Sequence, residues 1–178
     1  GVEKNIKLLA EAKKVKPENL TACLLERTRH KKIIEELLRL KVKIKFISDG
    51  DVSGAIYVID KNSPVDIYMG IGGGPEGVLA AAALSCLGGQ MQTRLILDEN
   101  EKQRAIKMGI LDFKKKYNIN EMVRGDVMFS ASGVSNGDLV NGIKDCGKNF
   151  EASTFALHKE SKRNFKIKNI HKKWAQFL

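Results

Sequence analysis

The sequence predicts an α/β protein, a layered sandwich with a largely parallel or mixed sheet. Two observations carry this. Apolar residues recur at helical spacing in some stretches and at period two or in short runs in others, and the two kinds alternate along the chain. The unusual residues, paired aspartates and a run of glycines, fall where a strand signal gives way to a helix signal, which is where ligands gather in such folds.

The elements follow in order. From Val2 to Lys14, Ile6, Leu8, Leu9 and Ala12 have amphipathic helix spacing, and Lys16-Pro17 ends the run. Leu20 to Leu25 reads as a buried strand. Arg27-Thr28-Arg29-His30 opens a helix whose inner face is expected to be Ile33, Ile34, Leu37 and Leu38. Val42 to Ile47 begins with period-two alternation, so it reads as a strand. Val52 to Ile59 reads as a short helix and Asp66 to Ile71 as the next strand. Glu76 to Leu87 is apolar nearly all round and is expected to be a buried helix. A strand at Arg94 to Leu97, a charged surface helix from Asp98 to Met108 and a strand at Asp126 to Ala131 come next. Asn164 to Ile170 alternates as an exposed-face strand does.

The chain has 178 residues, enough for one domain, taken here as residues 1–178, or for half of a larger one. It begins Gly1-Val2-Glu3-Lys4, without an initiator Met or a signal-peptide core, which fits a processed, trimmed or partial chain. No apolar run approaches membrane-spanning length, so no membrane partner is expected. Three cysteines without a CxxC pair fit a reducing, cytoplasmic setting. Cys23 and Cys86 read as core residues, and Cys146 stands in a polar stretch. The net charge of +10 suggests anionic partners. Aromatics are only 6% and are not interleaved with the basic residues, which argues against a stacking platform for single-stranded nucleic acid. The charge otherwise reads as solvated lysine-rich faces first, as a site for phosphorylated metabolites, or as the surplus of a half whose acidic portion is missing.

Four constellations could carry chemistry. Arg27-Thr28-Arg29-His30 offers guanidiniums, a hydroxyl and free N–H groups at a helix start, a phosphate cradle or equally a charged surface turn. Asp49-Gly50-Asp51 places carboxylates at a strand end, suited to sugar hydroxyls, a cation or the capping of the next helix. Gly70-Ile71-Gly72-Gly73-Gly74-Pro75-Glu76-Gly77 resembles a phosphate loop, but no Lys-Ser or Lys-Thr follows it. Its acidic Glu76 would repel a phosphate unless a divalent cation lay between them. Ser130-Ala131-Ser132-Gly133 begins a strand-end turn in which Ser135 or Asn136 is placed to cap a following helix.

Taken together and in this order, these motifs resemble class II fructose-1,6-bisphosphatases, a branch of the lithium-sensitive sugar phosphatase superfamily, from about Val2 to the tail. The resemblance is strongest in Ser48-Asp49-Gly50-Asp51-Val52, in Gly70 to Ala83 and in Ser130-Ala131-Ser132-Gly133. It implies the carboxy-terminal domain of the sugar phosphatase fold. It also implies metal-dependent hydrolysis of the 1-phosphate of fructose 1,6-bisphosphate, giving fructose 6-phosphate and phosphate in gluconeogenesis. By position, Glu76 would be a metal ligand for Mn²⁺ or Mg²⁺. Arg27, Thr28 and Arg29 would lie at a substrate phosphate, and Asp49, Gly50, Asp51 and Gly73 would line the sugar-phosphate pocket. The family more often has Lys at Arg27 and usually Pro at Thr28, so a planar fork replaces a point charge. The remaining acidic ligands of the family, and with them the catalytic residues, lie in an amino-terminal half with no counterpart here. That half is an implied partner, as is a homo-oligomeric copy, and the chain alone is expected to be nearly inactive. The alternatives are a dual fructose and sedoheptulose bisphosphatase, a nonenzymatic sugar-phosphate-binding module and a basic nucleic-acid-binding domain.

Overall fold

A computed structural model describes residues 1–48, 50–137 and 139–173. Asp49 and the last five positions lie outside the described residues, as does Asp138.

The first part of the chain builds a parallel sheet. Helix α1 (Val2–Lys13) leads into β1 (Thr21–Leu25), α2 (Lys31–Arg39), β2 (Lys43–Ile47), α3 (Asp51–Tyr57) and β3 (Ile67–Tyr68). The strand order is β2-β1-β3, with Thr21 beside Lys43 and Cys23 beside Tyr68. Strand β1 is central, and its side chains are buried on both faces, which explains its unbroken apolar run. Ala22 and Leu24 pack with Ile6, Ala10 and Leu37 beneath α1 and α2. Cys23 and Leu25 pack with Ile47 and Val65, with Tyr57 and Tyr68 alongside. Asp66 ties β3 to the start of β1 by accepting from the Thr21 N–H at 2.7 Å.

Beyond α3 the chain forms α4 (Gly74–Leu87), β4 (Gln92–Arg94), α5 (Glu99–Lys107), β5 (Lys116–Asn118) and α6 (Ile119–Met122). Strands β6 (Met128–Ser132), β7 (Lys144–Cys146), β8 (Asn149–His158) and β9 (Arg163–Lys172) then make an antiparallel sheet. Helices α3 and α4 lie between the two sheets. Ile56 of α3 and Ala83 of α4 are buried against Phe129, Phe155 and Leu157 of the antiparallel sheet. The order of layers is therefore helices, parallel sheet, helices, antiparallel sheet. The expected layered α/β sandwich is present, with its parallel and antiparallel pairings in separate sheets.

Several expectations change. Leu38, assigned to the inner face of α2, is 61% exposed; Leu37 one step earlier takes the buried place. Helix α4 is not buried throughout, since Val78 and Leu79 near its start are exposed. Among the described residues no helix follows Asn136; its side-chain oxygen instead accepts from the Gly142 N–H at 2.9 Å. The backbone packs tightly here: a Cβ on Gly133 would lie 2.1 Å from the Asn141 carbonyl oxygen. The strand expected at Arg94 to Leu97 lies earlier, at Gln92–Arg94, because it pairs with β5 there. Among the described residues, no helix is long and apolar enough to cross a membrane.

Two outcomes follow from this packing. Gly54 of α3 faces the parallel sheet so closely that a Cβ would sit 2.4 Å from Tyr68 Cε2 and 2.9 Å from Ile47 Cδ1. Gly54→Ala should therefore destabilise the fold by roughly 1–3 kcal/mol of overpacking, despite the better helix propensity of alanine. A lower urea midpoint at unchanged slope is the expected reading.

The second concerns acid. Glu3 accepts from Lys7 at 2.7 Å and Arg39 at 2.6 Å, and these bonds, Lys7 first, hold its carboxyl down to about 2 from an ordinary 4.5. A depressed acid contributes stability that is present above its unfolded value and is lost as pH falls through its folded one. Thermal melts should show wild type losing part of its stability between about pH 4.5 and about pH 2. Glu3→Gln should flatten that decline.

Candidate functional site

The three parallel strands end at one edge, and the chain leaves central β1 for β2 on one side before crossing to β3 on the other. Such a switch point opens a crevice at the carboxyl ends of the strands. Three of the four constellations enter it.

After β1, Thr28–His30 form a single 3-10 turn ahead of α2. Arg27, Thr28 and Arg29 are exposed and His30 is fully buried. Arg27 donates through Nη2 to the Ser48 carbonyl at 2.6 Å, bridging from β1 to the end of β2. Arg29 donates through Nε to the Ile71 carbonyl, reaching the glycine loop after β3. His30 joins the same loop from inside. Its Nδ1 donates to the Leu25 carbonyl at 2.7 Å, which leaves Nε2 to accept the Ile71 N–H at 2.9 Å. Both polar groups of Ile71 are thus held by neighbours from the first constellation.

After β2, Gly50 takes φ 87°, a left-handed conformation that favours glycine, and α3 begins at Asp51. Asp51 does not cap the helix by its side chain. Its carboxylate instead accepts from the Tyr68 hydroxyl, which rises from β3. Burial first, and the bond to Asp51 second, push the Tyr68 phenol well above its ordinary range, so it stays a donor. The second carboxylate oxygen of Asp51 turns toward the glycine loop, where a Cβ on Gly72 would lie 3.6 Å from it.

After β3, Gly73 is the N-cap of α4 and Pro75 stands in its first turn, where a missing N–H costs nothing. Gly73 has ordinary extended angles, φ −69° and ψ 156°, so strain is not why glycine stands there. The Glu76 carboxylate folds back over it, so a Cβ on Gly73 would meet Glu76 Oε2 at 2.3 Å and this exposed side chain would have to turn aside. Glu76 is exposed in the first turn of α4, where the helix N-terminus favours a negative charge.

The fourth constellation closes one side. Ser130, Ser132 and Gly133, with Val134 and Val140 beyond them, line a cleft of about 390 Å³ whose opposite wall includes Val52 and Ser53 of α3 and Leu79 of α4. The Ser132 and Thr154 hydroxyls bond across β6 and β8 at 2.8 Å.

Arg27, Arg29, Gly50, Asp51, Gly73 and Glu76 therefore gather at one sheet edge, and Thr28 stands on the same turn as Arg29. Two residues hold them, Tyr68 and His30: His30 belongs to the first constellation as a helix-start residue, and Tyr68 to none of the four. Tyr68 is the one aromatic in Val65-Asp66-Ile67-Tyr68-Met69, and His30 adjoins the arginine pair, but neither has a local signal of its partner. Burial raises the thiols of Cys23 and Cys86 above their ordinary range, in keeping with a packing role, while Cys146 is exposed. Among the described residues, no three His, Cys, Asp or Glu side chains come together as a metal site. Glu76 is a fitting single ligand, and the described residues alone do not build a site that holds a divalent ion.

Comparison with known proteins agrees with the motifs. The family model described as bacterial fructose-1,6-bisphosphatase, glpX-encoded, matches residues 1–171. The chain is 34% identical, over 98% of its length, to 54% of a D-fructose 1,6-bisphosphatase class 2/sedoheptulose 1,7-bisphosphatase of Synechococcus sp. (strain JA-2-3B'a(2-13)). It is 35% identical, over 96% of its length, to 55% of a fructose-1,6-bisphosphatase class 2 of Haemophilus influenzae. The chain spans about half the length of the curated relatives it matches. With its motifs gathered at one sheet edge and its match running from Gly1 to His171, the chain belongs to the bacterial class 2 fructose-1,6-bisphosphatase family.

Proposed function

We propose that this chain is the carboxy-terminal half of a phosphatase that removes the 1-phosphate of fructose 1,6-bisphosphate, leaving fructose 6-phosphate and phosphate. In this reading it acts in the cytoplasm, in gluconeogenesis, as a homo-oligomer of the intact enzyme, meaning this chain joined to its amino-terminal half. The observation that carries the reading is the meeting of an exposed arginine pair, a hydroxyl-bonded aspartate and an exposed glutamate in the first turn of α4 at the carboxyl ends of three parallel strands.

Each residue then has a task its geometry suits. Arg29 is anchored through Nε, so the forked Nη end is the part a phosphate would meet. Arg27 braces the turn between β1 and β2, and Thr28 adds a hydroxyl. Asp51, with one oxygen taken by Tyr68, accepts from a sugar hydroxyl with the other, and Asp49 is proposed to do the same. Gly50 and Gly73 let backbone approach the ligand. Glu76 is one ligand of a Mn²⁺ or Mg²⁺ site whose other carboxylates come from the amino-terminal half; a bound divalent ion supplies charge neutralisation and an activated water.

An assay of released phosphate with Mn²⁺ tests this directly. The chain alone should show little or no turnover and the intact enzyme full turnover. Full turnover by the chain alone would sink the half-enzyme reading, and an inactive intact enzyme would sink the activity. The name of the Synechococcus relative covers both bisphosphates, which favours a second reading in which sedoheptulose 1,7-bisphosphate is also cleaved. Side-by-side rates on the two substrates decide it.

A further inference from the structure

Helix α4 is apolar on nearly every side, a composition that belongs in an interior. Yet Val78 and Leu79 are 46% and 50% exposed. Glu76, Leu79 and Ala83 follow at spacings of three and four and share one stripe of the helix. At its inner end, Ala83 is buried against Phe129 and Phe155. One turn outward, Leu79 lines the 390 Å³ cleft together with the buried Phe129 and with Val134, which is 80% exposed. About 4.5 Å further along the axis, the stripe ends at Glu76. An apolar seat therefore lies beside a carboxylate that belongs to no group of three metal-ligating side chains among the described residues.

We propose that this cleft seats the amino-terminal half of the same enzyme, through an apolar side chain that enters between Leu79 and Val134 and is flanked by carboxylates reaching Glu76. Two observations select this occupant. The curated relatives run to nearly twice the matched length, so in them a comparable mass of chain packs on a unit like this one. The face that lacks cover is also the face that lacks ligands, so a segment lying in the cleft brings its own neighbours to Glu76. The inference rests on the half-enzyme reading and adds where the halves meet.

Thiol labelling tests it in the chain and in the intact enzyme. Val134→Cys and Leu79→Cys are introduced singly, and the labelling rate of each peptide is read by mass spectrometry. Both should react about tenfold or more slowly in the intact enzyme than in this chain, because a seated segment must lift before reagent enters. Met108→Cys, 77% exposed and outside the cleft, should react alike in both. Val134 is a loop residue with its side chain in solvent, so its replacement leaves folding intact. Equal rates for the cleft positions in the two proteins overturn the proposal and leave the phosphatase reading standing. Protection in an enzyme that hydrolyses no bisphosphate sinks the activity and keeps the docking surface. Slow labelling in the short chain that sets in with its own concentration, or with added fructose 1,6-bisphosphate, gives the cleft to a second copy or to the sugar phosphate and overturns the proposal.

Discussion

Replacing Glu76 by alanine in the intact enzyme is expected to lower turnover of fructose 1,6-bisphosphate by roughly a thousandfold or more. A divalent ion that neutralises charge on a transferring phosphate is worth several kcal/mol of barrier, and each 1.4 kcal/mol or so is tenfold in rate. In the proposed site Glu76 is the carboxylate this half brings to the ion; the helix N-terminus favours its charge, and its Oε2 occupies the space a Cβ on Gly73 would need. The concentration of Mn²⁺ needed for half-maximal activity should rise along with the loss of rate. Wild-type kinetics at saturating Mn²⁺ would remove Glu76 from the site. Gly73→Ala offers a graded version, since the added carbon leaves the backbone unstrained but pushes Glu76 Oε2 away.

The second large effect is expected at His30, and it is one of stability. The side chain is fully buried, donating to the Leu25 carbonyl and accepting the Ile71 N–H. His30→Ala leaves a cavity and strips both backbone groups of their partner, and losses of this kind come to roughly 2–5 kcal/mol. The denaturation midpoint of the chain should fall accordingly. The cost should also reach the site, because Ile71 stands two residues before Gly73. Glutamine, with an acceptor and donors on a shorter plane, should recover only part of the loss. A midpoint within 0.5 kcal/mol of wild type, about the spread of a surface substitution, would mean that Ile71 finds its partner elsewhere.

How far the sequence led depended on whether a feature was local. Strand β1 was legible because a central parallel strand is apolar on both faces, and Gly50 and the glycine run were legible because only a tight turn or close approach calls for them. The strand at the centre of the antiparallel sheet, β8, was not. Its core face is Ser153, Phe155 and Leu157, but its other face is Phe150, Ala152, Thr154 and Ala156, so the contrast that marks period two is missing. The open side of α4 was hidden for a related reason: a helix apolar all round gives no sign of which side lacks a neighbour. Site residues were legible as motifs, while the bonds joining them across 17 to 42 positions, from Asp51 to Tyr68 and from Arg29 to Ile71, were not.

Strand β9 has one more consequence. Along ten residues it pairs with β8 on one side, and among the described residues no strand pairs with the other. A rim that long is a template on which a further chain could add, as in fibril growth. Lys166, Lys168 and Lys172 point to one face of that rim, and an incoming copy of the strand would have to crowd its own ammonium groups against them. Exposed lysines along an open edge disfavour the addition of a second copy, so a Lys166→Ser change should raise the tendency of the chain to associate.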